Sequence, residues 1–99
     1  MEKGTTPLHT FTLPIGTDMI TKLRIIYAQN GSVILTKEKT DCTLEGNQIK
    51  VKLSQEDTFK FASSCPIEIQ LRVVLADGEA YKSEIKRVTV GRCLDNEVL

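Results

Sequence analysis

Apolar and polar residues alternate along most of the chain. Residues 49–53 carry three apolar side chains separated by two lysines, and residues 67–73 continue the same order over a longer stretch. A period of two is typical of a β-strand that buries one face. The alternation predicts strands at residues 8–13, 23–27, 33–37, 41–44, 49–53, 67–73 and 81–90. Short strands with turn residues between them predict an all-β sandwich or barrel.

The exception to the alternation is residues 55–61, which predict one short helical turn. Ser54 can cap the free amides of a first turn, and Glu56 and Asp57 suit its positive end. We expect this turn to place Phe59 on the core as a lid.

The register of each hairpin can be tested, since a slip of one residue turns every side chain to the opposite face. A two-residue loop at residues 46–47 pairs Leu44 with Ile49 and Cys42 with Val51, which puts all four side chains on one face. A loop of this length with glycine first is typical of a primed turn.

The hairpin around residues 30–31 is expected to have a three-residue loop with a G1 bulge. This register pairs Tyr27 with Val33 and Ile25 with Leu35. A two-residue loop would instead mix core and solvent residues on one face, so the longer loop is the predicted one.

The third hairpin, at the Asp-Gly pair, is also predicted to be a bulged loop. That loop pairs Val73 with Tyr81 and Ile69 with Ile85. Beyond Ile85 the apolar positions change phase. The change indicates a bulge near residues 86–87 or a strand that crosses between the sheets.

The chain length of 99 residues suits one domain with a modest core. We expect a flexible N-terminal tail at residues 1–7, a sandwich domain at 8–92 and a C-terminal tail at 93–99. The predicted core residues are Phe11, Leu13, Leu23, Ile25, Tyr27, Val33, Leu35, Leu44, Ile49, Val51, Leu53, Phe59, Ile69, Leu71, Val73 and Ile85.

The charges of the chain balance, with 13 basic and 13 acidic residues. No net field gathers nucleic acid or an anionic membrane, and copies of the chain do not repel one another at long range. The sequence contains neither a signal peptide nor an apolar run of about 20 residues. We therefore expect no membrane segment and a cytoplasmic protein.

No residue pattern predicts catalysis. His9 lies in a threonine-rich strand without a nucleophile or an orienting partner near it, and we expect it to be exposed. Cys42, Cys65 and Cys93 are expected to be free thiols, because their spacing matches no zinc or redox motif. We expect a protein that is not an enzyme and has no cofactor, metal site or small-molecule ligand.

Apolar residues at outward positions are the candidates for a protein interface. The predicted register pairs Ile26 with Ile34 on an outer face, with Ala28 beside them. Such residues can form an interaction patch, and the alternative is that they only lie beneath a loop. The candidate interface residues are Ile26, Ala28, Ile34, Val74, Val98 and Leu99.

The alternative binding surface is a group of basic residues expected on one outer sheet face. Its members are Arg24, Lys50, Lys52, Arg72, Lys82 and Lys86. Proteins that bind single strands add aromatic stacking platforms to such a surface, and the aromatic residues here fall mostly on core positions. An accessory nucleic-acid-binding module is therefore the second hypothesis.

Four stretches of the chain resemble small proteins of phages and prophages of Gram-positive bacteria. They are IKVKLSQEDTFKF at residues 49–61, IEIQLRV at 67–73, the Asp77-Gly78 turn and SEIKRVTVG at 83–91. Their order is similar to that in the N-terminal domain of upper baseplate proteins, and the resemblance covers residues 8–91. It implies an immunoglobulin-like β-sandwich of about seven antiparallel strands.

The resemblance also implies a function. It indicates a non-enzymatic structural protein of the virion, associated with the tail or baseplate, that assembles through protein–protein contacts. The expected partners are phage structural proteins or further copies of the same chain. The expected location is the bacterial cytoplasm during expression and then the virion.

Overall fold

Antiparallel strands arranged in two sheets build the protein. The structure, a computed structural model, describes residues 1–99. The strands are β1 (Leu8–Thr12), β2 (Ile20–Gln29), β3 (Ser32–Glu38), β4 (Cys42–Glu45), β5 (Gln48–Lys52), β6 (Ile67–Leu75), β7 (Ala80–Lys82) and β8 (Lys86–Val88). One sheet has three strands in the order β1-β5-β4, and the other has five, in the order β3-β2-β6-β7 with β8 also paired to β6. The predicted all-β sandwich is confirmed.

The two sheets bury their apolar faces against each other. Ile49 and Val51 of β5 lie in the same buried cluster as Ile25 of β2 and Leu71 of β6. Each fully buried side chain of this kind contributes about 1.5–3 kcal/mol to stability. Most predicted core residues are in the cluster or pack against it, and it also contains Ile20, Phe61, Ile67, Leu75 and Val90, which the prediction omitted.

The predicted helical turn is α1 (Gln55–Phe59). The Asp57 N–H donates to Ser54 Oγ and the Ser54 N–H donates to Asp57 Oδ2, both over 3.0 Å, which forms a capping box. The lid residue was predicted wrongly. Phe61, two residues beyond the helix, is buried, whereas Phe59 is half-buried. The helix ends at Phe59, so the chain turns inward only after it.

Phe59 instead lies at the N-terminal segment, where a Cβ placed on Gly4 would come within 3.0 Å of its ring. None of the helices has the length and apolar character that crossing a membrane requires. Two short 3₁₀ turns, Thr17–Met19 and Lys39–Asp41, complete the helical structure.

The hairpin between β2 and β3 has a two-residue turn, so its predicted register is wrong. Asn30 and Gly31 both have positive φ, 54° and 80°, which suits a tight primed turn. The register then shifts between Tyr27 and Ala28, and Tyr27 pairs with Leu35. The bulge that the prediction placed in the turn therefore lies inside the ladder.

This bulge reverses the positions of two predicted side chains. Val33, predicted in the core, is 62% exposed and stands opposite Ala28. Ile34, predicted on the outer face, packs against the core instead. The cause is the single extra residue in β3, because a shift of one position exchanges the two faces of a strand.

The other two hairpins agree more closely with the prediction. Leu44 pairs with Ile49 and Cys42 with Val51, as predicted, with Gly46 at φ 55°. Val73 pairs with Tyr81, which is also confirmed. These registers follow from the alternation, because only they keep the apolar side chains on one face.

The end of the sheet differs from the prediction. Ile69 pairs with Lys86 and not with Ile85, which is exposed. The extra residue lies between β7 and β8, where the Ser83 N–H donates to the Leu71 carbonyl and Ser83 Oγ accepts from the Leu71 N–H. The irregularity thus comes slightly before the predicted bulge, and the chain does not cross between sheets.

The residues predicted as an N-terminal tail make hydrogen bonds to the domain. The Gly91 N–H donates to the Met1 carbonyl over 2.7 Å, and the Lys3 N–H donates to the Gly91 carbonyl over 3.0 Å. The Gly4 N–H donates to Thr58 Oγ1 over 3.0 Å. Residues 1–4 are therefore hydrogen-bonded both to Gly91, which follows β8, and to α1. Residues 93–99 lie outside the strands.

Candidate protein interface

The predicted interface residues do not form one patch. Ile26, Ala28 and Val74 lie half-buried in the five-stranded sheet, at positions that alternate with core residues. The row of Arg24 and Arg72 separates Val74 from the other two. Ile34 packs against the core. Val98 and Leu99 lie beyond the last strand, and Leu99 hydrogen-bonds to the Gln55 side chain of α1.

The predicted basic surface is also divided. Arg24 stands opposite Arg72, and Arg72 stands opposite Lys82, so these three form a row across the five-stranded sheet. The structure places Lys50 and Lys52 on β5 of the other sheet. Lys86 pairs with the inward-facing Ile69. The prediction of a single basic face was wrong, because alternation shows which side of a strand is outward but not which sheet the strand joins.

One side of the sandwich is closed by the chain itself. The 3₁₀ turn at Lys39–Asp41 connects β3, an edge of the five-stranded sheet, directly to β4, an edge of the three-stranded sheet. A link of three residues keeps these two edges close together. The opposite side is bordered by β1 on one sheet and by β7 and β8 on the other, and no short connection joins them there.

The free edge of β1 presents unpaired backbone groups. The Leu53 N–H donates to the Pro7 carbonyl and the Leu13 N–H donates to the Asn47 carbonyl, so the odd-numbered residues of this strand bond toward β5. In an antiparallel ladder the intervening residues point their N–H and C=O groups the other way. The backbone groups of Leu8, Thr10 and Thr12 therefore face outward from the sheet edge.

The β1 edge lacks the features that usually block strand addition. Its sequence LHTFT contains no lysine, acidic residue, proline or bulge. Each of the other sheet edges has at least one feature that hinders strand addition. A register shift interrupts the β2–β3 ladder, β4 has four residues and ends in Glu45, and β7 and β8 have three residues each and contain lysines.

An apolar groove lies between β1 and the β7–β8 edge. It consists of two adjoining depressions of about 680 and 410 Å³, the first lined by Phe11 and Val88 among others, the second by Leu13 and Leu71. The exposed hydrophobic side chains Leu8, Tyr81 and Ile85 also line it, at 58%, 55% and 56% exposure. Large apolar groups left in solvent along a groove are typical of a binding surface. We call this feature the β1 groove.

The rim of the β1 groove is mainly basic. Lys82 and Lys86 lie on the β7–β8 edge and line the two depressions. Neither of these lysines takes part in an ion pair. Arg87 lies 3.6 Å from Glu68, and Glu84 is the acidic residue at the rim. The groove therefore combines an apolar floor with a positive border.

Two partly buried polar side chains near the groove hydrogen-bond to each other. His9 Nδ1 and Tyr27 Oη lie 2.8 Å apart and join β1 to β2 across the sandwich. Burial lowers the pKa of His9 and raises that of Tyr27, so both groups are neutral at pH 7. The expectation that His9 is exposed was wrong, because it faces inward and is half-buried.

The cysteines are free thiols, as expected. Burial, followed by the nearby Asp41 carboxylate, raises the pKa of Cys42 and keeps its thiol protonated. No group of three or more His, Cys, Asp or Glu side chains comes together that could hold a metal ion.

Comparison with known proteins gives one structural likeness. No protein-family model matches the chain, and no curated protein matches it. Among solved structures the chain is similar to the V domain of amphioxus IgVJ-C2, with 13% sequence identity, 92% of this chain and 97% of that chain covered, and a TM-score of 0.38. A likeness of this size indicates nothing about function.

Proposed function

We propose that the protein is a non-enzymatic assembly module that binds an extended segment of a partner protein along β1. The observation that supports this function most directly is the free edge of β1, uncharged and unbroken, beside an exposed apolar groove. An extended segment pairing with β1 would bond to the outward N–H and C=O groups of Leu8, Thr10 and Thr12. Every second side chain of that segment would enter the groove.

The narrower proposal is a structural protein of a phage or prophage, associated with the virion tail or baseplate. The resemblance over residues 8–91 supports it, as does strand addition, which is a means of joining protein subunits. Its location would be the bacterial cytoplasm during expression and the virion after assembly. Tail or capsid genes next to the coding sequence are the expected result, and their absence would contradict this narrower proposal.

Strand addition can be tested with a defined probe and a single edge residue. The probe is a labelled ten-residue peptide in which valine alternates with polar and acidic residues, and its binding is measured by fluorescence anisotropy. The variant Thr10→Pro removes one outward N–H without removing a β1–β5 hydrogen bond, and proline is tolerated at such edge positions. We expect Thr10→Pro to weaken binding about tenfold, which corresponds to roughly 1.4 kcal/mol.

The matched control is Thr10→Val, which keeps the N–H and the shape of the side chain. We expect Thr10→Val to bind the peptide as the original protein does, and both variants to unfold at similar urea concentrations. Equal binding by Thr10→Pro and Thr10→Val, or no binding by any form, would rule out β1 as the attachment site.

A second candidate function rests on the row of basic residues across the five-stranded sheet. Like charges directly opposite each other destabilise a sheet, yet Arg24, Arg72 and Lys82 stand side by side on three strands. Glu38, 2.8 Å from Arg24, is the acidic residue that neutralises part of this charge. A row of this kind can bind the backbone of a single-stranded nucleic acid.

The nucleic-acid hypothesis predicts a face-specific effect of charge reversal. Arg72→Glu is expected to weaken binding of a single-stranded oligonucleotide about tenfold at low salt, because it reverses the centre of the row. Lys52→Glu, on the opposite sheet, is the control and should change binding little. Equal losses in both variants would indicate non-specific attraction, and an absence of any salt-dependent mobility shift would eliminate the hypothesis.

A further inference from the structure

A single side-chain hydrogen bond joins β1 to the opposite sheet, and His9 makes it. His9 Nδ1 lies 2.8 Å from Tyr27 Oη of β2, and the two ring centres are 5.6 Å apart. Within its own sheet β1 pairs with β5, where the neighbour of His9 is the apolar Val51. The other inward side chain of β1, Phe11, packs against the core without a polar contact. The contact between His9 and Tyr27 is therefore the specific link between this edge strand and the five-stranded sheet.

The burial of Tyr27 determines which group donates in this bond. Tyr27 is fully buried, and its hydroxyl bonds to His9 alone. A buried hydroxyl without an acceptor for its proton costs free energy, so we assign the proton of neutral His9 to Nε2 and let Nδ1 accept from the hydroxyl. Protonation of His9 turns Nδ1 into a donor. The Tyr27 hydroxyl must then accept, and its own proton is left without a partner inside the core.

No free carboxylate on the inner side of the contact can compensate a charge on His9. Burial raises the pKa of Tyr27 most, and Cys42 and Asp57 raise it further. The Cys42 thiol stays protonated because burial raises its pKa as well. The Asp57 carboxylate is already paired with Lys37 at 2.9 Å.

The outer side of the contact is mainly positive. His9 lines the larger depression of the β1 groove, and the charged groups around the same depression are the N-terminal ammonium of Met1, Glu84, Lys86 and Arg87. Burial lowers the pKa of His9 below its ordinary value of 6.5, and the N-terminal ammonium lowers it further. A charged His9 thus loses water and meets mainly like charges for as long as β1 stays in place.

We propose that the His9–Tyr27 contact is an acid-sensitive latch on the edge strand: protonation of His9 breaks the contact and separates β1 from the opposite sheet. The consequence for binding rests on the proposed function, since a loosened β1 no longer offers an ordered edge for strand pairing. The protein then binds its partner at neutral pH and releases it in mild acid. His9 is the one histidine of the chain, and histidine is the side chain that ordinarily titrates in this range.

The direction of the effect follows from the linkage between protonation and opening. When β1 opens, His9 regains water and its pKa returns toward 6.5. The open form then binds a proton more readily than the closed form, so a falling pH between the two pKa values favours opening. The latch contributes fully above about pH 7, and its contribution is lost as the pH falls through the pKa of the closed form.

Nuclear magnetic resonance can follow the imidazole and the β1 amides in the same sample. The imidazole signals belong to His9 alone, and we expect them to titrate below pH 6.5. The Phe11 N–H bonds toward β5, and we expect its protection from hydrogen exchange to fall about tenfold from about pH 7.5 to about pH 5, after correction for the intrinsic exchange rate. The Ile25 N–H, in the middle of the five-stranded sheet, should keep its protection.

Two variants separate the latch from other effects of acid. His9→Asn cannot titrate, and its Oδ1 takes the place of Nδ1 as the acceptor. We expect the protection of the Phe11 N–H to be the same at both pH values in this variant. Tyr27→Phe keeps the histidine but removes the hydroxyl, so acid should change the protection of Phe11 less than it does in the original protein.

Four results would overturn the latch. An ordinary titration of His9 near its model value, or unchanged Phe11 protection in acid, would do so without any variant, so the test does not depend on the variants folding. An acid effect that persists in His9→Asn, or that is as large in Tyr27→Phe as in the original protein, would show that the contact is not its cause. An equal loss of protection at Ile25 would indicate general unfolding and would also overturn it.

Peptide binding distinguishes a failure of the latch from a failure of the proposed function. We expect acid, about pH 5 against about pH 7.5, to weaken binding of the labelled alternating peptide about tenfold more in the original protein than in His9→Asn, which also controls for titration of the peptide. If the two proteins show the same pH dependence of binding, the control of the edge by His9 fails while the proposed function stands. If the peptide binds at neither pH but β1 loses protection in acid, the proposed function fails and the latch remains.

Discussion

Replacing Phe61 with alanine is expected to lower the free energy of unfolding by about 3–5 kcal/mol. Phe61 is 1% exposed, and its ring centre lies 5.9 Å from that of Tyr27. Truncation removes this contact and leaves a cavity that the rigid sheets on either side cannot fill. Because domains of this size have only about 5–15 kcal/mol of stability in total, the variant would unfold at a much lower urea concentration.

Phe59→Ala is the matched control, since it removes the same side chain from the helix two residues earlier. Phe59 is half-buried at the N-terminal segment, so its loss is expected to lower stability by about 1 kcal/mol. Urea unfolding followed by circular dichroism measures both variants. Equal losses would contradict the assignment of Phe61 as the lid. A larger loss for Phe59→Ala would show that Phe59, the residue predicted from the sequence, covers the core.

The alternation of side chains was sufficient to predict the strands and two of the hairpins. Around residues 46–47 only one register keeps Leu44, Cys42, Ile49 and Val51 on the same face, and the structure has that register. The capped helical turn was predictable for a similar reason. Ser54 and the acidic residues that follow it form a local signal that does not depend on distant contacts.

The predicted register was wrong where two local backbone structures fit the same pattern of apolar and polar residues. A bulge in the turn and a bulge inside the ladder both correct the phase of the β2–β3 hairpin, and the alternation alone does not distinguish them. Asn30 and Gly31 form a tight two-residue turn, and the extra residue is Ile34, inside the ladder. That single displacement removed Ile34 from the predicted interface and exposed Val33 in its place.

The candidate site itself could not be predicted, because it depends on the order of strands in each sheet. The sequence marks Leu8, Tyr81 and Ile85 as ordinary apolar positions in strands. They become a groove only because β1 and the β7–β8 edge are both free and border the same side of the sandwich. The absence of charge in β1 was visible in the sequence, but its meaning depends on β1 being an edge.

Asp57 is the second position where we expect a large effect. The sequence suggested only its role at the start of α1, but Lys37 on β3 also points inward and places its Nζ 2.9 Å from Asp57 Oδ2. The two side chains are 18% and 11% exposed, so the ion pair is largely shielded from water. Asp57 thus caps the helix and joins it to the five-stranded sheet at once.

Asp57→Ala is expected to lower the free energy of unfolding by about 3 kcal/mol at pH 7. The loss of the cap accounts for about 1 kcal/mol, and the remainder comes from leaving the Lys37 ammonium partly buried without its partner. Glu56→Ala, in the same helical turn but exposed, is the control and should change stability by less than about 0.5 kcal/mol. Urea unfolding at pH 7 measures all three proteins.

The effect of Asp57 should disappear in acid. Burial alone would raise the pKa of this carboxyl, but the Ser54 N–H and Lys37 together outweigh burial and hold the pKa below its ordinary value of 3.8. A group with a lowered pKa in the folded state stabilises the protein above its unfolded pKa, and this contribution is lost as the pH falls through the folded pKa. The difference in stability between the original protein and Asp57→Ala should therefore be constant from pH 7 to about pH 5 and shrink below about pH 4. If the difference in stability is as large in acid as at pH 7, the charge of the Asp57 carboxylate does not stabilise its contact with Lys37. The effect of Asp57→Ala would then have to come from the packing of the start of the helix.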